Sequence, residues 1–151
     1  MNKLWPLVGL LAFWVTWPIN WIYLRIGSRT RVIVTHQDKI LVVKAWLGNG
    51  QWGLPGGGQH RNETALSAIQ RELFEETGIH IASTDFSPIG DGRGSINGMG
   101  YKYSLFKVNL DKLPELKPPV GEITAIKWLS RSELLADNPT SDLLTMLDRW
   151  S

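Results

Sequence analysis

The 151-residue chain contains no cysteine. That absence removes disulfide frameworks, thiolate metal sites and cysteine nucleophiles together, and it fits a reducing compartment. Histidine is scarce too: His36, His60 and His80 show no metal-ligand spacing. Charge of one sign is also missing. Lys and Arg number 16 against 14 Asp and Glu, a formal net charge of +2, so no large basic surface is available to hold nucleic acid by phosphate neutralisation. No G-x-x-x-x-G-K-[ST] loop and no G-x-S-x-G elbow occurs. Gly48, Gly50 and Gly53 do spell G-x-G-x-x-G. The dinucleotide fingerprint must open directly into a helix, however, and this one runs into Leu54 and Pro55. What remains is an ordinary globular composition, 43% hydrophobic and 20% charged, at the length of a single domain.

Tryptophan is the compositional exception, since four of the eight (Trp5, Trp14, Trp17, Trp21) fall in the first 21 residues. Residues 4–24, LWPLVGLLAFWVTWPINWIYL, carry no charge over 21 positions. As a helix they would span roughly 30 Å, about one hydrocarbon thickness. Prolines such as Pro18 are tolerated in spanning helices, and tryptophans near both ends suit the interfacial belts. Two rivals are a cleavable signal peptide and an apolar helix packed on the domain. The first needs a small-x-small cleavage site, where this chain has Trp21, Ile22, Tyr23 and Leu24. The expectation is therefore one N-terminal transmembrane helix in residues 1–25, a short tether in 26–30 and a soluble domain in 31–151. Lys3 alone precedes the segment and Arg25, Arg29 and Arg31 follow it, so the positive-inside rule places the domain in the cytoplasm. The same arginines could each gain about 1 kcal/mol from anionic headgroups.

The soluble part opens with two β-branched runs, 32–36 and 40–46, around Gln37, Asp38 and Lys39, the pattern of a hairpin. The stretch 48–58, GNGQWGLPGGG, is a loop by glycine content. From Thr64 to Thr77 the spacing predicts a helix of about four turns, with Leu66, Ile69 and Leu73 as its core stripe, Thr64 as N-cap and Gly78 just past its end. Glu72, Glu75 and Glu76, at i, i+3 and i+4, share one face beside that stripe. Like charges so placed repel, each pair costing roughly 0.2–0.5 kcal/mol, so the helix needs solvent or a cation there. A glycine loop feeding an acidic helix offers carbonyls and carboxylates together, the oxygen ligands that Mg²⁺ or Mn²⁺ prefers.

Gly57, Glu63 and then Arg71-Glu72-Leu73-Phe74-Glu75-Glu76-Thr77-Gly78-Ile79 fill every specified position of G-x5-E-x7-R-E-U-x-E-E-x-G-U. This resembles the Nudix box of the Nudix hydrolases. Trp52-Gly53-Leu54-Pro55-Gly56-Gly57 is similar to the W-x-L-P-G-G segment that leads into it. The resemblance extends more weakly from about Arg31 to Trp150 and excludes the membrane segment. It implies an α+β fold: an α/β/α sandwich with a mixed β-sheet, here preceded by one transmembrane helix. It implies Glu72, Glu75, Glu76 and the Gly56 carbonyl as ligands of Mg²⁺ or Mn²⁺. Glu63 and Arg71 would orient the loop and the helix glutamates. The implied reaction is attack of water on phosphorus in a nucleoside diphosphate linked to another moiety, with the metal screening charge and lowering the pKa of bound water. Glu76 or Glu72 is the expected general base, and Glu122, ahead of the strand-like run 123–129, the outside candidate.

Further along, residues 90–100 read as a glycine-rich, mobile connection before the strand-like run 101–108. A functional reading makes Arg93 a phosphate contact and Tyr101 or Tyr103 a stacking platform for a base; the alternative is a surface hairpin with routine aromatics. Ser130 and Glu133 have capping-box spacing, and Leu143, Leu144 and Leu147 recur at helical spacing near the end. Pro88 and Tyr101 do not fall where dedicated ADP-ribose or dinucleoside polyphosphate enzymes of the family carry a diagnostic proline or tyrosine. The expected partners are a small-molecule diphosphate, the membrane and no nucleic acid; a homodimer is compatible with the resemblance. The competing function is a catalytically silent nucleotide-binding or regulatory module at the membrane.

Overall fold

Residues 28–36 and 39–45 alternate or run continuously in β-branched side chains, and they form β1 (Ser28–His36) and β2 (Lys39–Ala45), joined at Gln37 with φ of 55°. The structure, a computed structural model, describes Val8, Leu11, Ala12, Val15 and residues 27–46, 50–96, 99–117 and 123–150. The hairpin pairs next to its turn, Thr35 with Ile40 and His36 with Lys39. Farther from the turn the glycine loop supplies the partners. Gly53 exchanges both backbone bonds with Val43 at 3.0 Å, while Val32 and Thr30 donate to the carbonyls of Pro55 and Gly57 at 3.1 and 2.9 Å, and Gln59 donates to Ser28 at 2.9 Å. The loop is thus wedged between strands, and its backbone groups find partners as a buried segment requires.

Three further strands complete the sheet: β3 (Ser87–Ile96), β4 (Met99–Asn109) and β5 (Ile123–Ser130), in the order β3-β4-β1-β2-β5. β4 runs parallel to β1, and the other pairs are antiparallel. The sheet is mixed, as expected. Strand periodicity sends alternate side chains to opposite faces. Val32, Val34, Leu41, Phe106 and Val108 meet Ile69 and Leu73 of helix α1 (Ala65–Thr77). Ile33, Ile40, Val42, Tyr101, Tyr103 and Leu105 lie with Leu134 of α2 (Arg131–Ala136) and Leu143, Met146 and Leu147 of α3 (Ser141–Trp150). The result is an α/β/α sandwich. α1 starts at Thr64, whose side chain accepts from the Ser67 N–H, and ends at Gly78, left-handed at φ 75°. α2 carries the expected Ser130/Glu133 capping box.

The structure corrects two expectations. Ser28 to Thr30, expected in a tether, are the first residues of β1, because Thr30 pairs with both β4 and the loop. Residues 90–100, expected as a mobile connection, are mostly strand, paired with β4 from Gly90↔Leu105 to Ile96↔Met99 after a bulge near Pro88. The glycines there make room: a Cβ on Gly92 would strike the Tyr103 ring end and Arg149, and one on Gly94 would strike the Tyr101 ring end and Asp142. Of the segment 4–24, only Val8, Leu11, Ala12 and Val15 are described, all helical, with Val8, Leu11 and Val15 exposed. Among the described residues no helix is long and apolar enough to cross a membrane.

Candidate active site

Two glycines bring the loop against α1. Gly56 has φ of 132°, a region that favours glycine, and a Cβ there would overlap the Thr30 carbonyl. A Cβ on Gly57 would fall on the Glu72 carboxylate. Only hydrogen at both positions lets the chain pass between β1 and the box helix.

Arg71 is the hub of the polar side. Its Nε and Nη2 grip Glu63 Oε1 and Oε2, each at 3.0 Å; Nη1 donates to Glu72 Oε1 and Glu75 Oε2, each at 2.9 Å; and Nη2 also reaches the Gly58 carbonyl at 3.0 Å. Glu63 in turn accepts from the His60 N–H at 2.9 Å. The fork-to-fork pair with Arg71 holds the Glu63 carboxyl down at about 2, against an ordinary 4.5. The repulsion expected among the helix glutamates is therefore relieved at two of them by one guanidinium.

Glu76 is different. Its Oε2 accepts from the Gly56 N–H at 2.8 Å. Burial pushes its carboxyl up to about 8; the Gly56 hydrogen bond and the charges of Arg31 and Arg29 pull the other way, and the Glu72 charge adds to the rise. The other face of the same glycine meets β1, where Arg31 Nη1 donates to the Gly56 carbonyl. Arg29, two residues earlier and on the same strand face, places its guanidinium 5.9 Å from the centre of the Tyr101 ring. A carboxyl from α1 and a guanidinium from β1 thus hold the N–H and the carbonyl of one residue, Gly56.

The donor set of Glu72, Glu75, Glu76 and the Gly56 carbonyl is all oxygen and carries excess negative charge, which suits a hard divalent cation. As arranged, the described residues hold no group of three carboxylate or imidazole side chains close enough to grip an ion. Arg71 donates to Glu72 and Glu75, and Arg31 donates to the Gly56 oxygen. A cation binding there would take over positions that the two arginines now fill.

The remaining candidates lie elsewhere. Tyr101 and Tyr103 are buried at 4% and 3% exposure, so neither offers a face for a base to stack on. Their hydroxyls are tied to α3: Tyr101 donates to Asp142 at 2.8 Å, and Arg149 donates to Tyr103 at 3.1 Å. Arg93 is exposed and stands opposite Lys102 on the other sheet face. Glu122 lies outside the described residues. Arg29 and Arg31 were the missed residues. Their spacing of two, leading into Ile33, is the strand signal that puts both on the Ile33 face of β1; that Arg31 reaches round to Gly56 has no local signal.

Comparison with known proteins decides the family: the NUDIX domain matches residues 26–148. The chain belongs to the Nudix family. It is a Nudix-type hydrolase, of the class acting on phosphoric anhydride bonds. Phosphatase NudJ of Escherichia coli strain K12 is 30% identical over 114 residues, 74% of each chain. A MutT NUDIX hydrolase from Burkholderia pseudomallei superposes with a TM-score of 0.68 at 21% identity, over 83% of this chain and 98% of that one. A bifunctional NMN adenylyltransferase/ADP ribose pyrophosphatase from Francisella tularensis, solved with AMP and a Mn ion, superposes with a TM-score of 0.70 at 24% identity, over 94% of this chain and 46% of that one. These two structural likenesses show the fold.

Proposed function

We propose that this Nudix hydrolase is a Mg²⁺- or Mn²⁺-dependent pyrophosphohydrolase that cleaves a nucleoside diphosphate linked to another moiety. The observation that carries the reading is Glu76, a part-buried carboxyl that accepts from the Gly56 N–H on the helix that also presents the Arg71-bound Glu72 and Glu75. Glu72, Glu75, Glu76 and the Gly56 carbonyl would hold the cation, which screens phosphate charge and acidifies bound water. The chain's own work is positioning and proton transfer. Arg71 and Glu63 fix the loop against the helix, so that the carboxylates are presented from a rigid element. Water oxygen attacks phosphorus, the anhydride P–O bond breaks, and the water proton passes to Glu76 or Glu72.

The names of relatives support the substrate class: a phosphatase at 30% identity and an ADP ribose pyrophosphatase among the structural likenesses. We further propose a single-pass membrane protein with its catalytic domain in the cytoplasm. The uncharged stretch 4–24 and the exposed helical Val8, Leu11 and Val15 support this. β1 begins at Ser28, so only residues 25–27 separate that stretch from the sheet, about 10 Å at full extension. The domain would then lie against the bilayer. The test is Mg²⁺-dependent product release by the full-length chain from nucleotide, nucleotide-sugar and isoprenoid diphosphates, with EDTA as the control. Turnover abolished by EDTA supports the hydrolase. No turnover from a folded, Mn²⁺-binding chain favours the silent module. Carbonate extraction of membranes reports on the anchor: the chain is expected in the pellet, and release into the supernatant contradicts it.

A further inference from the structure

Thr30 is fully buried, at 0% exposure, and its hydroxyl has no hydrogen-bond partner. An unpaired buried hydroxyl costs stability, and such a group in a native structure calls for an explanation. Its neighbours across the ladder supply one. The glycine loop runs antiparallel to β1 here: Thr30 donates its N–H to the Gly57 carbonyl, Gln59 donates to Ser28, and Arg29 stands opposite Gly58. Thr30 and Gly57 are therefore cross-strand neighbours, and side chains at such a pair share a face, with Cβ atoms about 5 Å apart. Thr30 alternates with Val32 and Val34, so that face is the one covered by α1. Gly57 has no side chain to put there; a Cβ would fall on the carboxylate of Glu72. Glu72 thus fills the space of the missing side chain, beside Thr30. Yet the two are not bonded: Glu72 accepts from Arg71 through Oε1, and the Thr30 hydroxyl is left over.

We propose that Thr30 is a positioning residue for Glu72, its hydroxyl donating to that carboxylate when a divalent cation draws it off Arg71. This rests on the cation site of the proposed function. A carboxylate has about four lone-pair sites over its two oxygens. An oxygen given to a cation leaves the other to be oriented, and carboxylates that bind metals are themselves hydrogen-bonded, with loss of such a partner costing about 10–100-fold in metal affinity. In the cation-free chain Arg71 orients Glu72; Thr30 does so once Arg71 is displaced. The hydroxyl therefore lowers the stability of the empty chain and raises the affinity of the site, two effects of opposite sign from one atom.

The test sets Thr30→Val, which keeps the shape and removes the hydroxyl, against Thr30→Ser, which keeps the hydroxyl and removes the methyl. Mn²⁺ affinity of the full-length chain is read by electron paramagnetic resonance, and urea midpoints are read in EDTA. Thr30→Val is expected to have a urea midpoint at or above that of the wild type and to bind Mn²⁺ about 10-fold more weakly. Thr30→Ser should have a lower midpoint, from the lost methyl, and bind Mn²⁺ within threefold of the wild type. Stability and affinity then rank the two variants in opposite orders, which a packing role alone does not do. A loss of Mn²⁺ affinity under threefold in Thr30→Val overturns the proposal, as does Thr30→Ser binding as weakly as Thr30→Val. A urea midpoint of Thr30→Val below that of Thr30→Ser also overturns it, because the hydroxyl would then be paired in the empty chain. Failure of the two readings is distinguishable. A wild-type chain that binds no Mn²⁺ removes the cation site and the proposal with it; a wild-type chain that binds Mn²⁺ and turns over a diphosphate, with Thr30→Val binding the ion equally well, removes the proposal alone.

Discussion

Glu76 and Glu63 are titrated in opposite directions by their surroundings, and together they set a pH profile for the cation-free chain. Glu63 is held at about 2 by Arg71, below its ordinary 4.5. Its contribution to stability is present above 4.5 and lost as pH falls towards 2. Glu76 is raised to about 8 by burial. The folded chain then keeps a proton that the unfolded chain sheds, so stability falls as pH rises from about 4.5 to 8. Urea midpoints in EDTA should therefore peak near pH 5 and decline above it. Glu76→Gln should flatten the upper limb, and an unchanged decline in that variant would contradict the assignment. Arg71→Ala leaves three carboxylates around a vacated guanidinium position and should destabilise the cation-free chain by about 2–4 kcal/mol. Saturating Mn²⁺ should recover part of that loss, a recovery read from the same urea curves.

The box helix and its hairpin were legible from the sequence because local signals agree there. Thr64 caps, Gly78 terminates, and Ile69 and Leu73 mark the buried stripe at helical spacing. Glycine signals were not transferable. In 53–59 they do mark a loop, but one bonded to two strands; in 90–96 they mark a strand whose missing side chains admit tyrosines and polar ends from α3. That tertiary fact has no local trace. Loop and helix should respond accordingly: Gly57→Ala should cost about 1–3 kcal/mol by overpacking and displace Glu72, lowering turnover more than 10-fold. Gly53→Ala, where a Cβ meets nothing within 4 Å, should stay near wild type. At the far edge, Asp142 accepts from both Tyr101 and the Ser95 N–H. Asp142→Ala should lower stability by about 1–3 kcal/mol, with the loss in amide exchange protection concentrated in β3.

At the scale of the whole molecule, the sheet divides labour between its faces and its edge. One face carries α1 and its carboxylates, the other continues into the β1 arginines, and the wedged loop joins them at Gly56. The order β3-β4-β1-β2-β5 could not be read from strand runs alone, since β1 pairs with a strand some 70 residues later, and long-range pairing leaves no periodic signal. Beside an apolar segment Arg29 and Arg31 look like topology charges; the strand adds that both share the Ile33 face of β1, from which Arg31 reaches the Gly56 carbonyl. Hydrolysis by the box carboxylates is the central claim about this molecule. The most direct measurement is diphosphate turnover by the full-length chain and by Glu76→Gln at saturating Mg²⁺. A loss of at least about 100-fold in kcat is expected in the variant, with the fold intact. Turnover in Glu76→Gln equal to that of the wild type would contradict it.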